Sequence, residues 1–429
     1  MNAGARGHAV VLGGGIAGLL AARVLSNRFE RVTIIERDRV ASNGEPRASI
    51  PQGHHVHGLL ARGLQVIEDL FPGFANALQA EGAVLVGTED VRIYIDGWRK
   101  AHDHPLKVLT ATRPFLEWGV ARRVRALPNV TVMDQTEAQS VVGTRERITG
   151  VIVNGGAALT ADLLVDARGR RSNLADWMKS LGAESPPHET SPLSSVYCSY
   201  LLEPAAGSER PPALQVVNME RRLGVLIFPV ERGRVLLSLG SSAGQSIPRS
   251  HEEMLIFARD SFPVPDAWEA LKNLRPISEP QFSRFTASVR RNFNQLSRLP
   301  AGVVAVGDAV ASFNPIFGQG MTVAALEADW LARHLDANDP STEGFAKAFY
   351  AGLKPIVDVA WGAPDLEAKR NNPEAQSRTT KFLLWYTARM QRVASRSAEV
   401  SKTIALVQNM LLPPAAMFKP ATFIRVLIG

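Results

Sequence analysis

The stretch that most constrains the fold is His8 to Glu36, HAVVLGGGIAGLLAARVLSNRFERVTIIE. Ala9 to Leu12 is short, apolar and β-prone, which marks a buried strand. Gly13, Gly15 and Gly18 follow with the spacing G-x-G-x-x-G, after which Ile16, Leu19, Leu20 and Val24 recur at helical intervals. A second strand, Arg31 to Ile35, ends on Glu36. Each glycine answers a separate steric demand: the first permits the tight turn, the second lets a pyrophosphate approach the backbone, and the third lets helix and strand pack closely. The helix opening at Ile16 and Ala17 turns unpaired N–H groups toward such phosphates. Glu36, about 20 residues beyond the glycines, is placed to accept hydrogen bonds from a ribose hydroxyl, with Arg37 beside it as a further contact. Strand, turn, helix, strand and acid in that order predict dinucleotide binding. An acid with no Arg in its place favours an adenosine ribose lacking a 2′-phosphate, which FAD and NAD both satisfy.

With 429 residues, 45% hydrophobic and 21% charged, the chain is too long for one small core and belongs with soluble globular proteins of two or three domains. The N-terminal apolar stretch is broken by glycines and lacks the basic region and cleavage site of a signal peptide. No run approaches the roughly 18 apolar residues of a membrane span. The single cysteine, Cys198, excludes an intrachain disulfide and points to a reducing, cytoplasmic compartment. It lies in the strand-like Val196 to Tyr200, where core filling is its expected role.

After Glu36 comes a loop to Gly53, then His54-His55-Val56-His57 and a helical stretch from Leu59 to Phe71. Adjacent histidines in a strand point to opposite faces and no further ligand cluster follows, so no metal site is expected. Short β-like runs fill Ala83 to Thr110, and Arg113-Pro114-Phe115-Leu116-Glu117 opens a helix. Ala161 to Asp166 is a buried strand leading into Ala167-Arg168-Gly169-Arg170, and VYCSYLL, ALQVVNM, LGVLIFPV and RVLLSLG follow as strands between Ser195 and Gly240. Tyr94, Tyr197 and Tyr200 are expected to be core aromatics. Gly302 to Val306 is a further buried strand ending on Gly307-Asp308, and the apolar helix Met321 to Leu335 follows a loop. Beyond Asp336 the pattern is helical, with Pro340, Pro355, Pro364, Pro373 and Pro413-Pro414 as breaks.

A strand ending in Gly-Asp, far from the first glycines, makes sense if one cofactor reaches back across the domain. Asp308 can then accept from ribityl hydroxyls. Pro315 supplies rigidity, Gly318 and Gly320 allow close approach to a flat ring, and the helix from Met321 aims its N-terminal dipole at a reduced flavin. At this point the sequence resembles the FAD-dependent aromatic hydroxylase and epoxidase superfamily, whose fold is that of para-hydroxybenzoate hydroxylase. Gly13, Gly15, Gly18 and Glu36 match its first motif, Ala167 to Ser172 in DARGRRS its middle motif, and Gly307-Asp308 its last. Arg113 sits where the family has an Arg that helps hold FAD. Pro46 to Leu60 and Phe313 to Met321 look like bacterial polyether and terpenoid olefin epoxidases, and Gly318 to Ala328 like squalene epoxidases. That resemblance puts Arg47 and Gln52 beside the flavin.

The fold class that follows is α/β: a Rossmann-like FAD-binding domain (residues 1–82, 111–185 and 300–336), an interleaved antiparallel substrate domain (83–110 and 186–299) and a C-terminal helical region (337–429). The resemblance implies FAD, with NAD(P)H and dioxygen as co-substrates, and transfer of one oxygen atom to a lipophilic small molecule. Epoxidation of an alkene, terpenoid or polyene leads; an aromatic hydroxylase and a prenyl-chain reductase stay open beside it. An olefin needs no base, and no side chain is singled out as catalytic. The W-x-W-x-I-P segment of flavin-dependent halogenases is missing, and a carrier without flavin has no use for Gly307-Asp308.

The formal net charge is +7, and the tail holds an excess of that size: Arg378, Lys381, Arg389, Arg392, Arg396, Lys402, Lys419 and Arg425 stand against Glu399 alone. These charges are interleaved with Leu, Val, Met and Trp, which does not suit nucleic acid. Leu383, Tyr386, Met390, Val393, Val400, Ile404, Val407 and Leu411 form an apolar stripe at helical spacing. Packing against the FAD domain explains the stripe, and reversible docking of residues 378–429 on an anionic membrane face explains the one-sided charge.

Overall fold

The computed structural model describes residues 6–40, 43–46, 51–56, 58–101, 106–242 and 246–429. Along the chain, β1 (Arg6–Leu12), α1 (Ile16–Ser26) and β2 (Phe29–Ile35) open the fold, followed by α2 (Ala61–Leu70), β3 (Val91–Ile95), β4 (Trp98–Arg99), α3 (Arg113–Arg125), β5 (Val130–Met133) and β6 (Leu163–Asp166). Next come β7 (His188–Pro204), β8 (Ala213–Asn218), β9 (Leu223–Pro229), β10 (Val235–Ser242), α4 (His251–Ser261), α5 (Asp266–Leu271), β11 (Gln281–Arg291) and β12 (Val303–Ala305). The rest is helical: α6 (Gly320–Ala337), α7 (Phe345–Arg370), α8 (Arg378–Val393), α9 (Ala398–Gln408) and α10 (Pro420–Ile428).

The first layer is a parallel sheet in the order β12-β6-β1-β2-β5. Its central strands are apolar almost without interruption, and Ala9 to Leu12, Leu163 to Val165 and Val303 to Ala305 are all buried. That is the composition of parallel strands covered on both faces, and α1, α3, α6 and α7 contribute Leu19, Val120, Leu331 and Phe349 to the same core. All the strands of the sheet run in one direction, so the turns after β1, β6 and β12 gather at one edge. A small meander, Ala138–Gly143, Ile148–Val153 and Ala158–Thr160, flanks this layer.

The second layer is a mostly antiparallel sheet in the order β11-β7-β10-β9-β8-β3-β4, with β8 and β3 paired in parallel. Its two faces differ. One carries Cys198, Tyr200, Val216, Val225, Ile227, Leu237 and Leu239, packed on Met254 and Ala258 of α4 and Ala267 and Leu271 of α5. Cys198 therefore fills core, and so do Tyr94 and Tyr200, whose hydroxyls meet Asp266 Oδ1 and His251 Nδ1. The other face is only partly covered: along β9, Leu223, Val225 and Ile227 are buried whereas Gly224, Leu226 and Phe228 are half-buried.

Two expectations for the helical region are corrected. Pro355 and Pro364 do not break the chain but lie inside the continuous helix α7. A proline in a helix interior costs about 3 kcal/mol, and burial of Phe349, Tyr350, Leu353, Val357, Ala360 and Trp361 along α7 offsets it. The tail stripe does not pack on the FAD-binding layer: Tyr386, Met390, Val393, Val400 and Ile404 close on Val426 of α10 as a separate small core. This tail touches both sheets' layers at its ends, through Asn409 O to Arg62 N at 3.3 Å and Ala394 O to Ala101 N at 2.9 Å. No helix among the described residues is long and apolar enough to cross a membrane.

Helix α7 is tied to the parallel sheet by Tyr350, whose hydroxyl accepts from Ala305 N at 2.7 Å in a buried position. Tyr350→Phe leaves that N–H without an acceptor, and a loss of about 1–3 kcal/mol in unfolding free energy is expected. Urea denaturation checks it; an unchanged midpoint and slope would remove Tyr350 as an anchor of β12.

Candidate functional site

The turn after β1 is built by backbone contact. Gly13 has φ +103°, and its N–H donates to Ile35 O at 2.8 Å, which hangs the turn between β1 and β2. A Cβ on Gly18 would lie 1.9 Å from Gly13 O, so α1 can descend onto the turn only without a side chain there. Gly15 caps α1 with no side-chain hydrogen bond, and buried Ile16 and half-buried Ala17 begin the helix against the parallel sheet. Glu36 is buried at the end of β2; its Oε2 accepts from Gly14 N at 2.6 Å and its Oε1 from Asp38 N at 3.0 Å. The carboxylate thus faces the glycine turn, while Arg37 is exposed.

The turn after β12 meets the first one. Gly307 has φ +64°, and a Cβ on it would come within 2.8 Å of Ala17 Cβ. Asp308 next to it is half-buried. Burial pushes its carboxyl up, and the nearby guanidinium groups of Arg113, Arg170 and Arg291 oppose that shift. Arg113 reaches this point from the start of α3, where Glu231 fixes the backbone: Thr112 N and Oγ1 donate to its carboxylate at 2.8 and 2.7 Å. Beneath the turn, Glu327 of α6 accepts from Gly307 N, and burial raises its carboxyl to about 8, so it is neutral at pH 7.

A third group of residues lies where the two sheets' layers meet. Pro315 starts a short turn capped by Asn314, whose Oδ1 accepts from Ile316 N at 3.2 Å and from the Tyr197 hydroxyl at 2.6 Å. Gly318 has φ +63°, a Cβ on it would lie 3.9 Å from Gly58 O, and a Cβ on Gly320 would meet nothing within 4 Å. Gln319 and Met321 are buried, and Gln319 Oε1 has no hydrogen-bond partner among the described residues. Across from this loop, His55 Nδ1 is 2.8 Å from Ser199 Oγ, which donates to Ser238 Oγ at 2.7 Å. Burial, and next to it the charge of His54, lowers the His55 imidazole to about 4; burial raises Tyr197 to about 12. Both are neutral near pH 7. Arg47 and the side chain of Gln52 lie outside the described residues.

The middle motif is self-contained. Asp166, fully buried, accepts from Arg168 Nε at 2.9 Å, from Arg168 Nη2 at 2.8 Å and from Ser172 Oγ at 2.7 Å, and the Arg168 guanidinium stacks 3.8 Å from the Trp177 ring centre. Its acid is spent on holding the turn after β6 in shape.

The bare glycine turn with its buried acid, the second acid among arginines, and the loop with an unpartnered amide oxygen are linked through the Ala17–Gly307 contact. A glycine turn at a helix N-terminus beside a buried acid is the arrangement that the pyrophosphate and ribose of a dinucleotide require. Residues 7–199 match the family described as FAD binding domain. Protein Rv3254 of Mycobacterium tuberculosis is 35% identical over 354 residues, covering 79% of this chain and 74% of that protein. The chain belongs to the same family as protein Rv3254, and residues 7–199 of it carry the FAD binding domain. Solved structures share its fold: flavin-dependent brominase Bmp2 (TM-score 0.70, 16% identity, 98% of each chain) and PqsL of Pseudomonas aeruginosa (TM-score 0.63, 20% identity, 84% of this chain and 96% of that one). A third is 2-methyl-3-hydroxypyridine-5-carboxylic acid oxygenase (TM-score 0.63, 21% identity, 93% and 98%).

Several residues of this site carry no motif. Tyr197 and Ser199 sit two apart in β7, on the face opposite Cys198 and Tyr200, so strand alternation was the available signal. Glu327, a lone acid within the apolar Met321 to Ala328, was another.

Gly15→Val and Asp308→Ala are each expected to lower flavin occupancy of the purified protein, and Gly18→Ala to reduce it by about tenfold or more, since overpacking costs about 1–3 kcal/mol. The ratio of flavin to protein absorbance measures this. Full occupancy in Gly18→Ala would mean the turn does not cradle the cofactor.

Proposed function

We propose that the enzyme inserts one oxygen atom from dioxygen into a lipophilic alkene, terpenoid or polyene, giving an epoxide, with NAD(P)H as reductant. Alkene, dioxygen, NAD(P)H and a proton go to epoxide, NAD(P)+ and water. Bound FAD supplies the redox chemistry and the oxygen activation. In this reading Gly13, Gly15, Ile16, Ala17, Gly18, Glu36 and Arg37 hold the adenosine and phosphate end, Arg113 and Asp308 the ribityl chain, and Pro315, Gly318, Gly320 and Met321 the ring. Residues 83–110 and 186–299 supply the substrate side.

The observation that carries the proposal is the chemistry beside the ring loop. The partly covered face of the second sheet brings half-buried Leu201, Leu226 and Phe228 toward it. Two titratable groups beside that loop, His55 and Tyr197, are neutral and hydrogen-bonded. A phenol is hydroxylated fastest as its anion and needs a base to reach it, whereas an alkene asks only for an apolar, water-poor pocket.

Incubation with NADPH and a panel of lipophilic alkenes under labelled dioxygen tests this. The isotope is expected in an epoxide, with substrate-stimulated NADPH oxidation. Labelled phenol hydroxylation alone would favour the aromatic hydroxylase, and anaerobic reduction of the double bond the reductase.

We also propose that the tail rests on an anionic membrane surface. Phe382, Trp385, Ile424, Leu427 and Ile428 are exposed on α8 and α10, beside exposed Arg378, Lys381, Arg392, Lys402 and Lys419. Arg389 and Arg396 are not part of this surface's free charge, because they donate to Val426 O, Leu427 O and Gly429 O at the end of α10. Each basic residue near such a surface contributes about 1 kcal/mol. Co-sedimentation with anionic liposomes is expected at low salt, to be lost at high salt and in the combined Arg378→Glu, Lys381→Glu, Arg392→Glu and Lys419→Glu variant. Equal recovery in the supernatant with and without vesicles would leave these residues as ordinary surface.

A further inference from the structure

The partly covered face of the second sheet contains a row of side chains that the oxygen-transfer chemistry does not use. Residues directly opposite one another on neighbouring strands share a face. Ser199 stands opposite Ser238, Ser238 opposite Leu226, Leu226 opposite Gln215, and Gln215 beside Ile93. Lys100, just past β4, donates its backbone N–H to Ile93 O at 2.9 Å and so ends the same row. With strands about 4.8 Å apart, the five steps from Ser199 to Lys100 span about 24 Å. The near end touches His55, and Tyr197, two residues before Ser199 in β7, donates to Asn314 of the ring loop. The middle, Leu226, Gln215 and Ile93, is half-buried, while the residues pointing the other way from the same strands are buried in the core.

Lys100 at the far end is an anomaly. It is 6% exposed, and its one hydrogen-bond partner among the described residues is Gln391 Oε1 of α8. No carboxylate among the described residues pairs with it. An ammonium has three donors, and a buried cation without a counterion costs several kcal/mol. Burial lowers this amine to about 7, so the protein by itself gives the charged form little support.

We propose that Lys100 and Gln391 bind the carboxylate of a chain-like substrate whose apolar body lies along the row toward the ring loop. The amine supplies the charge. Gln391, already accepting from Lys100 through Oε1, has its amide N–H groups left to donate to the second carboxylate oxygen. One cation with one amide balances a singly charged carboxylate and leaves a doubly charged phosphate uncompensated. The distance between the two ends suits a long acyl or polyisoprenoid acid and leaves a single aromatic ring far from one of them.

This inference rests on the proposed oxygenation only for what happens at the near end, and its test involves no turnover. The FAD-loaded, oxidised enzyme is titrated with oleate or methyl oleate without reductant, and the flavin spectrum is followed. Oleate is expected to bind about tenfold or more tightly than the ester, the contribution of a charge-assisted hydrogen bond. Lys100→Met should bring the two within about twofold by weakening oleate alone, with FAD content and thermal midpoint unchanged. Lys100→Arg should keep most of the preference. Equal affinity for acid and ester in the unaltered enzyme, a preference that survives Lys100→Met, or no spectral response to either ligand would overturn the assignment. An enzyme that binds oleate through Lys100 but forms no oxygenated product keeps this site and loses the epoxidation reading; the converse result separates them the other way.

Discussion

The approach of Gly18 to the carbonyl of Gly13 is the contact on which the rest of the site depends. Without a side chain at either position, α1 sits directly on the turn that ends β1, and its second residue, Ala17, comes under Gly307. Two turns separated by nearly the whole FAD-binding segment of the chain are thereby fixed against each other through backbone. Everything placed by them inherits that precision: Glu36 at the end of the neighbouring strand, Asp308 one residue past Gly307, and α6, which begins a short loop later. Glu327 reinforces the arrangement from below, a neutral carboxyl accepting from Gly307 N in a place where an ionised one would be poorly tolerated.

The second sheet solves a different problem. A sheet that must line a binding cleft cannot bury both faces, yet it must still be stable. Here α4 and α5 cover one face with a continuous core, and stability is drawn from that side. The opposite face is then free to be chosen for what it binds. Ser199 and Ser238 meet His55 at one end of it, and Lys100 meets Gln391 at the other, with Leu226, Gln215 and Ile93 between.

Much of the first layer was legible in the sequence because its demands are local. Gly13, Gly15, Gly18 and Glu36 must keep fixed spacing for one turn to work, and the buried strands of a parallel sheet announce themselves as apolar runs. The strand and turn at Gly307-Asp308 are legible for the same reason. The row from Ser199 to Lys100 is not local. It takes one residue from each of five strands and a sixth from just past β4, and its register exists only once the sheet is assembled, so no window of sequence contains it. Strand alternation does separate Tyr197 and Ser199 from Cys198 and Tyr200, but nothing in VYCSYLL says which face meets the cofactor. The prolines of α7 mislead for a related reason: their cost is local and visible, and the burial that offsets it is not.

The tail shows how charge and packing can be misassigned when only periodicity is in view. The stripe from Tyr386 to Ile404 is a core, but of the tail itself, and two of the arginines flanking it close the end of α10 instead of meeting solvent freely. Helix α8 is thus a single layer between two environments. On one side Gln391 and Ala394 reach Lys100 and Ala101 at the end of the row, and on the other Phe382 and Trp385 are exposed. Helix α9 ends at Asn409, whose backbone and side chain hold the start of α2. The tail therefore joins the FAD-binding layer to the far strand of the second sheet, and its position fixes how far apart those two parts stand. A shift of α8 relative to β4 would open the row at its Lys100 end without disturbing the Gly13–Gly18 contact. The contacts that seat α8 beside β4 and those that close α1 on the Gly13 turn are thus separate sets.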